Sequence, residues 1–247
     1  MYSILRSIAV IGFTGAVAYT GVTGAFFTDS ESSVGNVFTA GTFTGISLDS
    51  VGFVFNGAPA GTLADAWDAG QSYGKFFNFS NIVPGDRGVR HLSLHNDNTA
   101  ESAYVCFNTG TVTTNINNAG EEIHTLVWRD DNFNRRWDPA NEPMLTPSPT
   151  KLEELSGVRY GDSTGGTILG ASHPSNSGHI AVAWCAGTIG ANPSGSASIY
   201  PGEAGSTITC DGGSMTTQGG SYVADMIVYA EQVSNNSSFT CAGPIPQ

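Results

Sequence analysis

The chain has 247 residues, with 21 acidic side chains against nine basic ones and a formal net charge of −12. No basic patch exists to displace counterions from phosphates, so nucleic acid is excluded as a partner class. An acidic chain with 32 glycines, and lysine only at Lys75 and Lys151, suits a solvent-facing extracellular role in which divalent cations are available partners.

Residues 1–25 read as a signal peptide. Arg6 is the one cation, Ile8 to Val22 carry no charge, and Thr23-Gly24-Ala25 place small residues at the exit. The alternative is a retained N-terminal anchor, since the stretch lies near the lower length limit of a membrane span. Membrane contact is expected only through this leader when it is uncleaved. Cleavage after Ala25 leaves Phe26 first. Residues 26–40 then form an apolar, strand-prone segment with no obvious partner in its own chain; the alternative is that it folds back as an ordinary edge strand of its own domain.

Residues 41–241 are dominated by period-two patterns, the mark of half-buried strands. Leu92 and Leu94 point one way, and His91, Ser93 and His95 the other. Ala103, Val105 and Phe107 share a face, as do Leu126 with Trp128, and Ile180 and Val182 with Trp184. Met226, Val228 and Ala230 oppose Ile227, Tyr229 and Glu231. Turn chemistry separates the runs at Pro84-Gly85-Asp86, Asn117-Asn118-Ala119-Gly120, Gly212-Gly213 and Gly219-Gly220. The spacing predicts an all-β fold, an antiparallel β-sandwich with long loop excursions rather than βαβ units. One short helix is predicted from the capping box Thr150-Lys151-Leu152-Glu153, with Gly157 as its stop. Residues 130–175 read as a long excursion from the sandwich, and 242–247 as a frayed tail.

Cys106, Cys185, Cys210 and Cys241 are an even set, which in an exported chain reads as two disulfides. Three pairings are open. The favoured one joins Cys185 to Cys210, closing a Gly/Ser-rich excursion, and Cys106 to Cys241. A cysteine-based zinc site is the rival, and it lacks a CxxC pair.

The segment from Asp130 to Glu142 places oxygen ligands at spacings that resemble a calcium loop: Asp130, Asn132, Asn134, the Arg136 carbonyl, Asp138 and Glu142. Glu142 falls one place beyond the usual twelfth position, and Arg135 stands where the sharp turn wants glycine. The rival reading is a solvated loop of Asx turns. Calcium is the one cofactor the sequence raises, and none is required. No H-E-x-x-H, G-x-S-x-G, phosphate-loop or dinucleotide pattern is present, so no enzyme is expected. His91 and His95 read as surface residues of a strand with no adjacent acid. Trp67, Trp128, Trp137 and Trp184 offer a sugar platform on one reading and core packing on the other.

Four stretches resemble the family of secreted matrix-fibre proteins that includes TasA and camelysin, whose leaders are cut by a SipW-type signal peptidase. They are Phe27-Thr28-Asp29 with Phe38-Thr39-Ala40-Gly41-Thr42; Asn81-Ile82-Val83-Pro84-Gly85-Asp86; Leu92-Ser93-Leu94-His95-Asn96; and Ala224-Asp225-Met226-Ile227-Val228-Tyr229-Ala230-Glu231-Gln232. The cysteine-bearing segments at Trp184-Cys185 and Cys210-Asp211 resemble a cysteine-bearing branch. The resemblance implies a jelly-roll domain whose mature N-terminal segment completes a sheet of the next subunit, giving a head-to-tail homopolymer. Phe26, Phe27, Asp29, Val34, Val37 and Phe38 are the expected donor-strand residues, with Phe26, Phe27 and Val34 as pocket fillers. The physical logic is that an open sheet edge offers unpaired N–H and C=O groups which an extended peptide satisfies. The expected function is a secreted fibre protein of the cell surface or biofilm matrix. The alternative is a monomeric extracellular module that binds carbohydrate or calcium.

Overall fold

The computed structural model describes residues 28–32, 46–56, 58–59, 75–96, 102–132, 134, 136–146, 149–156, 161, 167–169, 177–195, 205–233 and 239–241. The strands among them are β1 (Thr28–Ser32), β2 (Ile46–Phe55), β3 (Ala58–Pro59), β4 (Phe77–Ile82), β5 (Arg87–Asn96), β6 (Ala103–Ile116), β7 (Ile123–Arg129), β8 (Thr150–Lys151), β9 (Thr167–Leu169), β10 (Ser177–Ala186), β11 (Thr188–Ala191), β12 (Ile208–Asp211) and β13 (Gly220–Gln232). Every ladder between them is antiparallel. One sheet runs β1-β13-β6-β9 with β4 also on β13, the second runs β3-β2-β5-β10-β7-β8, and β11 pairs with β12 alone.

The alternating residues become the two faces of these sheets. Leu92, Leu94, Val105, Phe107, Val127, Ile180, Val182, Trp184, Met226 and Val228 meet between the sheets in one buried cluster. Trp184 fills the middle, its ring 4.4 Å from that of Phe79 and 5.6 Å from that of Phe55. The opposite face of the second sheet is buried as well. Val89, Leu126, Trp128, Ala181, Ala183 and Cys185 form a smaller apolar layer with Trp137, Ile189 and Ile208, which arrive from loops and from the β11–β12 pair. The protein is therefore an all-β sandwich with an outer layer on one side.

The turn between β4 and β5 shows why its residues take that order. Pro84 presets the backbone for the second position of a tight turn, and Gly85 adopts φ +86°, a left-handed conformation that side-chain-bearing residues resist. The Asp86 N–H closes the turn on the Val83 carbonyl at 3.0 Å. The Asp86 carboxylate accepts from the Val83 N–H at 2.9 Å and from the Asn56 amide at 2.6 Å, tying the turn to the end of β2.

Two local readings are corrected. The expected short helix is a single 3₁₀ turn, Leu152–Leu155, at whose start the Glu154 carboxylate accepts from the Lys151 N–H at 3.1 Å, in place of the expected pair Thr150 and Glu153. Thr150 is held in β8 opposite Thr125, and the Thr125 hydroxyl donates to its carbonyl at 2.9 Å. The Asn117–Gly120 turn continues into a one-turn helix, α1 (Ala119–Glu122), which brings Glu122 under the 216–217 loop. The Glu122 carboxylate accepts from the Thr217 hydroxyl at 2.7 Å, from the Thr217 N–H at 3.1 Å and from both donors of Thr216. Burial alone pushes this carboxyl up, but the four donors outweigh it and hold the group below its usual range.

Disulfides join Cys106 to Cys241 and Cys185 to Cys210, each with Cα atoms 5.6 Å apart. The first pins the C-terminal segment to the outer face of β6, and the second ties β12 to β10. Two disulfides fit an oxidising, extracellular compartment. Among the described residues no helix is long and apolar enough to cross a membrane.

Replacing Cys106 and Cys241 together by serine should lower stability by about 2–5 kcal/mol in a urea titration, since the bridge closes a long loop of the unfolded chain. A depressed carboxyl stabilises above its unfolded pKa and loses that contribution as pH falls through its folded value. The wild-type protein should therefore lose stability, relative to Glu122→Gln, as the pH drops below the ordinary glutamate range. Parallel pH–melting curves for the two proteins would disprove the clamp.

Candidate functional site

β13 has one edge against β6 along its whole length. Its other edge is divided. β4 pairs with Gly220 to Ala224, and β1 pairs with Ile227 to Glu231, so two short strands lie end to end on one long one. Between them sits Asp225, fully buried, with Lys75 at 2.8 Å as its cation. Behind the β1 half, Met226, Val228 and Ala230 belong to the main core. On the outer face, Tyr229 donates to Glu231 at 2.9 Å and stacks on Phe239 with centroids 5.9 Å apart. Phe239 also stacks on Tyr104, and the neighbouring Cys241 is tied to Cys106, so a covalently anchored segment covers that face.

The register of β1 is Thr28 opposite Glu231, Asp29 opposite Ala230, Ser30 opposite Tyr229, Glu31 opposite Val228 and Ser32 opposite Ile227. Of the two readings of the N-terminal segment, the monomer takes the one in which it folds back: Thr28–Ser32 is an edge strand of its own subunit. Its sequence is Thr-Asp-Ser-Glu-Ser. Aspartate, serine and glutamate disfavour strands, and the segment has no large apolar side chain to bury, so main-chain hydrogen bonds are its principal hold. Asp29 is thus placed in β1. Phe26, Phe27, Val34, Val37 and Phe38, with the leader 1–25 and the tail 242–247, lie outside the described residues.

The second candidate site is the loop that follows β7. The Asp130 N–H donates to the His179 carbonyl of β10 at 2.9 Å, ending the ladder, and the chain then winds back on itself. The Asn134 N–H is shared by Asp130 Oδ1 at 3.1 Å and Asn132 Oδ1 at 3.0 Å. Asn134 Oδ1 accepts from the Arg136 N–H at 2.7 Å, and Glu142 Oε2 from the Asp138 N–H at 2.8 Å. The Trp137 indole donates to the Glu142 carbonyl at 3.2 Å as its ring enters the outer apolar layer. Asp130 and Glu142 are 1% and 4% exposed. Burial and then the Asp130 carboxylate push Glu142 up to about 7, against the pull of the Asp138 and Asn132 N–H groups. Asp138 serves its own turn, accepting from the Ala140 N–H at 3.1 Å and the Asn141 amide at 2.7 Å. The Arg136 side chain is exposed. Among the described residues no three His, Cys, Asp or Glu side chains converge. The donors gathered here are two carboxylates and two side-chain amide oxygens.

His91 is a further correction. It is 2% exposed rather than a surface residue, with Nε2 3.6 Å from Asp130 Oδ2 and its ring edge-on to Trp128 at 6.2 Å. The strand alternation correctly sets His91 opposite Leu92, but that second face is covered by the loop. Trp128, Trp137 and Trp184 are all buried, which leaves none of the three as a sugar platform, and Trp67 lies outside the described residues. The signal that reveals the outer layer is the apolar pair Leu126 and Trp128, which sits on the same strand as the inward Val127.

The chain matches no protein-family model, no curated protein and no solved structure.

If β1 is held mainly by its main-chain ladder, the amides of Thr28–Ser32 should exchange with deuterium at least about 100-fold faster than those of β6 opposite Val228. Equal protection of the two, measured by mass spectrometry or NMR, would show that β1 is locked into the sheet.

Proposed function

We propose that this is an exported structural protein whose subunits join head to tail. The N-terminal segment of one subunit takes the Ile227–Glu231 edge of β13 in the next. The observation that carries the reading is the divided edge of β13, half of which is covered by a five-residue polar strand from the chain's own N-terminal segment. Such a strand forms the same ladder whether it comes from its own subunit or from a neighbour, which is the condition for exchange. The monomer is then a self-complemented form. Because the strand belongs to the same chain, it is held at an effective concentration on the order of millimolar, so assembly is favoured at high protein concentration. Repetition of a heterologous contact whose rotation does not close gives an open filament.

Three further features support the reading. The leader and the paired disulfides fit an extracellular fate. The four motif stretches resemble the fibre family named above, and the jelly-roll form of the sandwich belongs to the same proposal. The segment around β1 also divides its chemistry usefully. Phe26 and Phe27 precede the polar strand and Val34, Val37 and Phe38 follow it, so apolar side chains flank it on both sides.

Deleting Phe26 to Ser33 should abolish filaments seen by negative-stain electron microscopy. The shortened domain should remain folded, with a cooperative melt and β-type circular dichroism. Full-length processed protein that stays monomeric at every concentration, salt and temperature tried would refute the proposal.

A further inference from the structure

We propose that the Asp130–Glu142 loop is a calcium site, built from carboxylates of Asp130 and Glu142, amide oxygens of Asn132 and Asn134, and the Arg136 carbonyl. It clamps Trp137 onto the outer face of the second sheet. The inference is independent of polymerisation.

The decisive feature is Glu142. Its carboxylate is 4% exposed and lies against Asp130, which is 1% exposed. One of its oxygens, Oε2, accepts from the Asp138 N–H, while Oε1 is fully enclosed and makes no well-formed hydrogen bond, with the Asp130 carboxylate and the Asn132 N–H beside the carboxylate. Two carboxylates removed from water beside each other, one with an oxygen that makes no well-formed hydrogen bond, are costly unless a proton or a cation is shared between them. The Lys75 and Lys151 ammoniums are both committed elsewhere, to Asp225 and Glu121. Arg129 pairs with Asp131 on the outside of the loop, and the Arg136 side chain points to solvent. His91 Nε2 lies 3.6 Å from Asp130 Oδ2 and offers that carboxylate a charge only when protonated, so an ion from solution is the fitting counter-charge for the pair.

The donor chemistry selects the ion. All the proposed ligands are oxygens, and they come from carboxylate, amide and backbone carbonyl, a set that suits a hard cation. Calcium accepts irregular shells of six to eight such oxygens and a bidentate carboxylate, whereas magnesium demands a near-octahedral shell and keeps its waters. The oxygens that already accept N–H groups of the loop retain a second lone pair for a metal.

The structure also accounts for the one-residue offset of Glu142 in the calcium-loop spacing. The chain makes an extra turn at Asp138–Asn141, in which the Asn141 and Glu142 N–H groups both donate to the Asp138 carbonyl at 3.1 and 2.8 Å. That turn absorbs the inserted residue and returns Glu142 to the Asp130 side. Asp138, expected as a ligand from the spacing, is drawn into this turn instead.

The consequence is mechanical. Asp130 ends β7, and Glu142 precedes Met144, which bridges back to Trp128. A cation held by both would fasten the two ends of the loop together. Trp137, whose carbonyl accepts from the Thr207 hydroxyl at 3.2 Å, would be fixed between the sheet and the segment leading into β12.

The test uses the full-length processed protein, stripped with chelator and titrated with calcium chloride or magnesium chloride. Calorimetry should show one calcium per chain, with a dissociation constant in the range of about 10⁻⁵–10⁻³ M, and much weaker magnesium binding. Saturating calcium should raise the melting temperature by about 5 °C or more and change tryptophan fluorescence. Because Asp130 and Glu142 are buried, the variant of choice is Asn132→Ala with Asn134→Ala, whose side chains are exposed. It should still fold cooperatively when stripped, as its melt shows, and lose at least about tenfold in calcium affinity. Asp131→Ala, outside the proposed shell, should bind as wild type does. No heat and no melting shift in the wild type up to about 10 mM calcium would overturn the site, as would undiminished affinity in the double variant.

Discussion

The ladder between β13 and its neighbours is the contact on which the rest of the molecule depends. β13 is long, continuous and buried on its inner face, and it carries β6 on one edge and both β4 and β1 on the other. Backbone groups along such a strand must all be paired or meet water, and a buried unpaired group costs as much as a lost hydrogen bond. Three separate parts of the chain converge to meet that demand. The half facing β1 is met with the least side-chain contribution, by five small or acidic residues. Strength along the edge is therefore uneven by composition: Phe77, Phe79 and Ile82 anchor β4 in the core, whereas β1 has no residue of that kind.

The second sheet solves a different problem. Its inner face closes the main core, and its outer face carries Leu126 and Trp128, which water would wet if nothing covered them. The cover is made of irregular pieces, the loop after β7 and the β11–β12 pair, and each is fastened by something stronger than its own packing. The β11–β12 pair has the Cys185–Cys210 bridge. The loop has a nest of Asx turns around two buried carboxylates, with His91 and Trp128 beneath them. Short irregular segments lose much conformational entropy on ordering, so covalent or ionic fastening is the economical way to hold them.

The sandwich was legible because alternation is a local signal. Leu92 with Leu94, Ile180 with Trp184, and Met226 with Val228 each declare a face without reference to any partner. Partner choice is not local. Nothing in Thr28–Ser32 names Ile227–Glu231, because their ladder uses main-chain atoms common to every residue. The burial of His91 was hidden for a related reason: two-fold alternation says which side a residue occupies but not whether that side is covered. The 3₁₀ turn at Leu152–Leu155 displaced the expected helix because β8 holds Thr150, a tertiary contact overriding a good capping sequence. In the loop, the spacing of the oxygen-bearing side chains was visible, but the extra turn into which Asp138 is drawn depends on the Asp138 carbonyl accepting two N–H groups.

The scarcity of lysine has a practical side. Both lysine ammoniums are engaged, Lys75 with a fully buried carboxylate and Lys151 with Glu121, whose attraction raises its pKa further. An α-amino group titrates near neutrality, at about 7.7–8.0, well below an ordinary lysine. Amine-directed reagents applied near pH 7 should therefore discriminate sharply in favour of the polypeptide's leading amine. A fluorophore or crosslinker could be installed there without mutagenesis, turning the start of the chain into a reporter of its own surroundings.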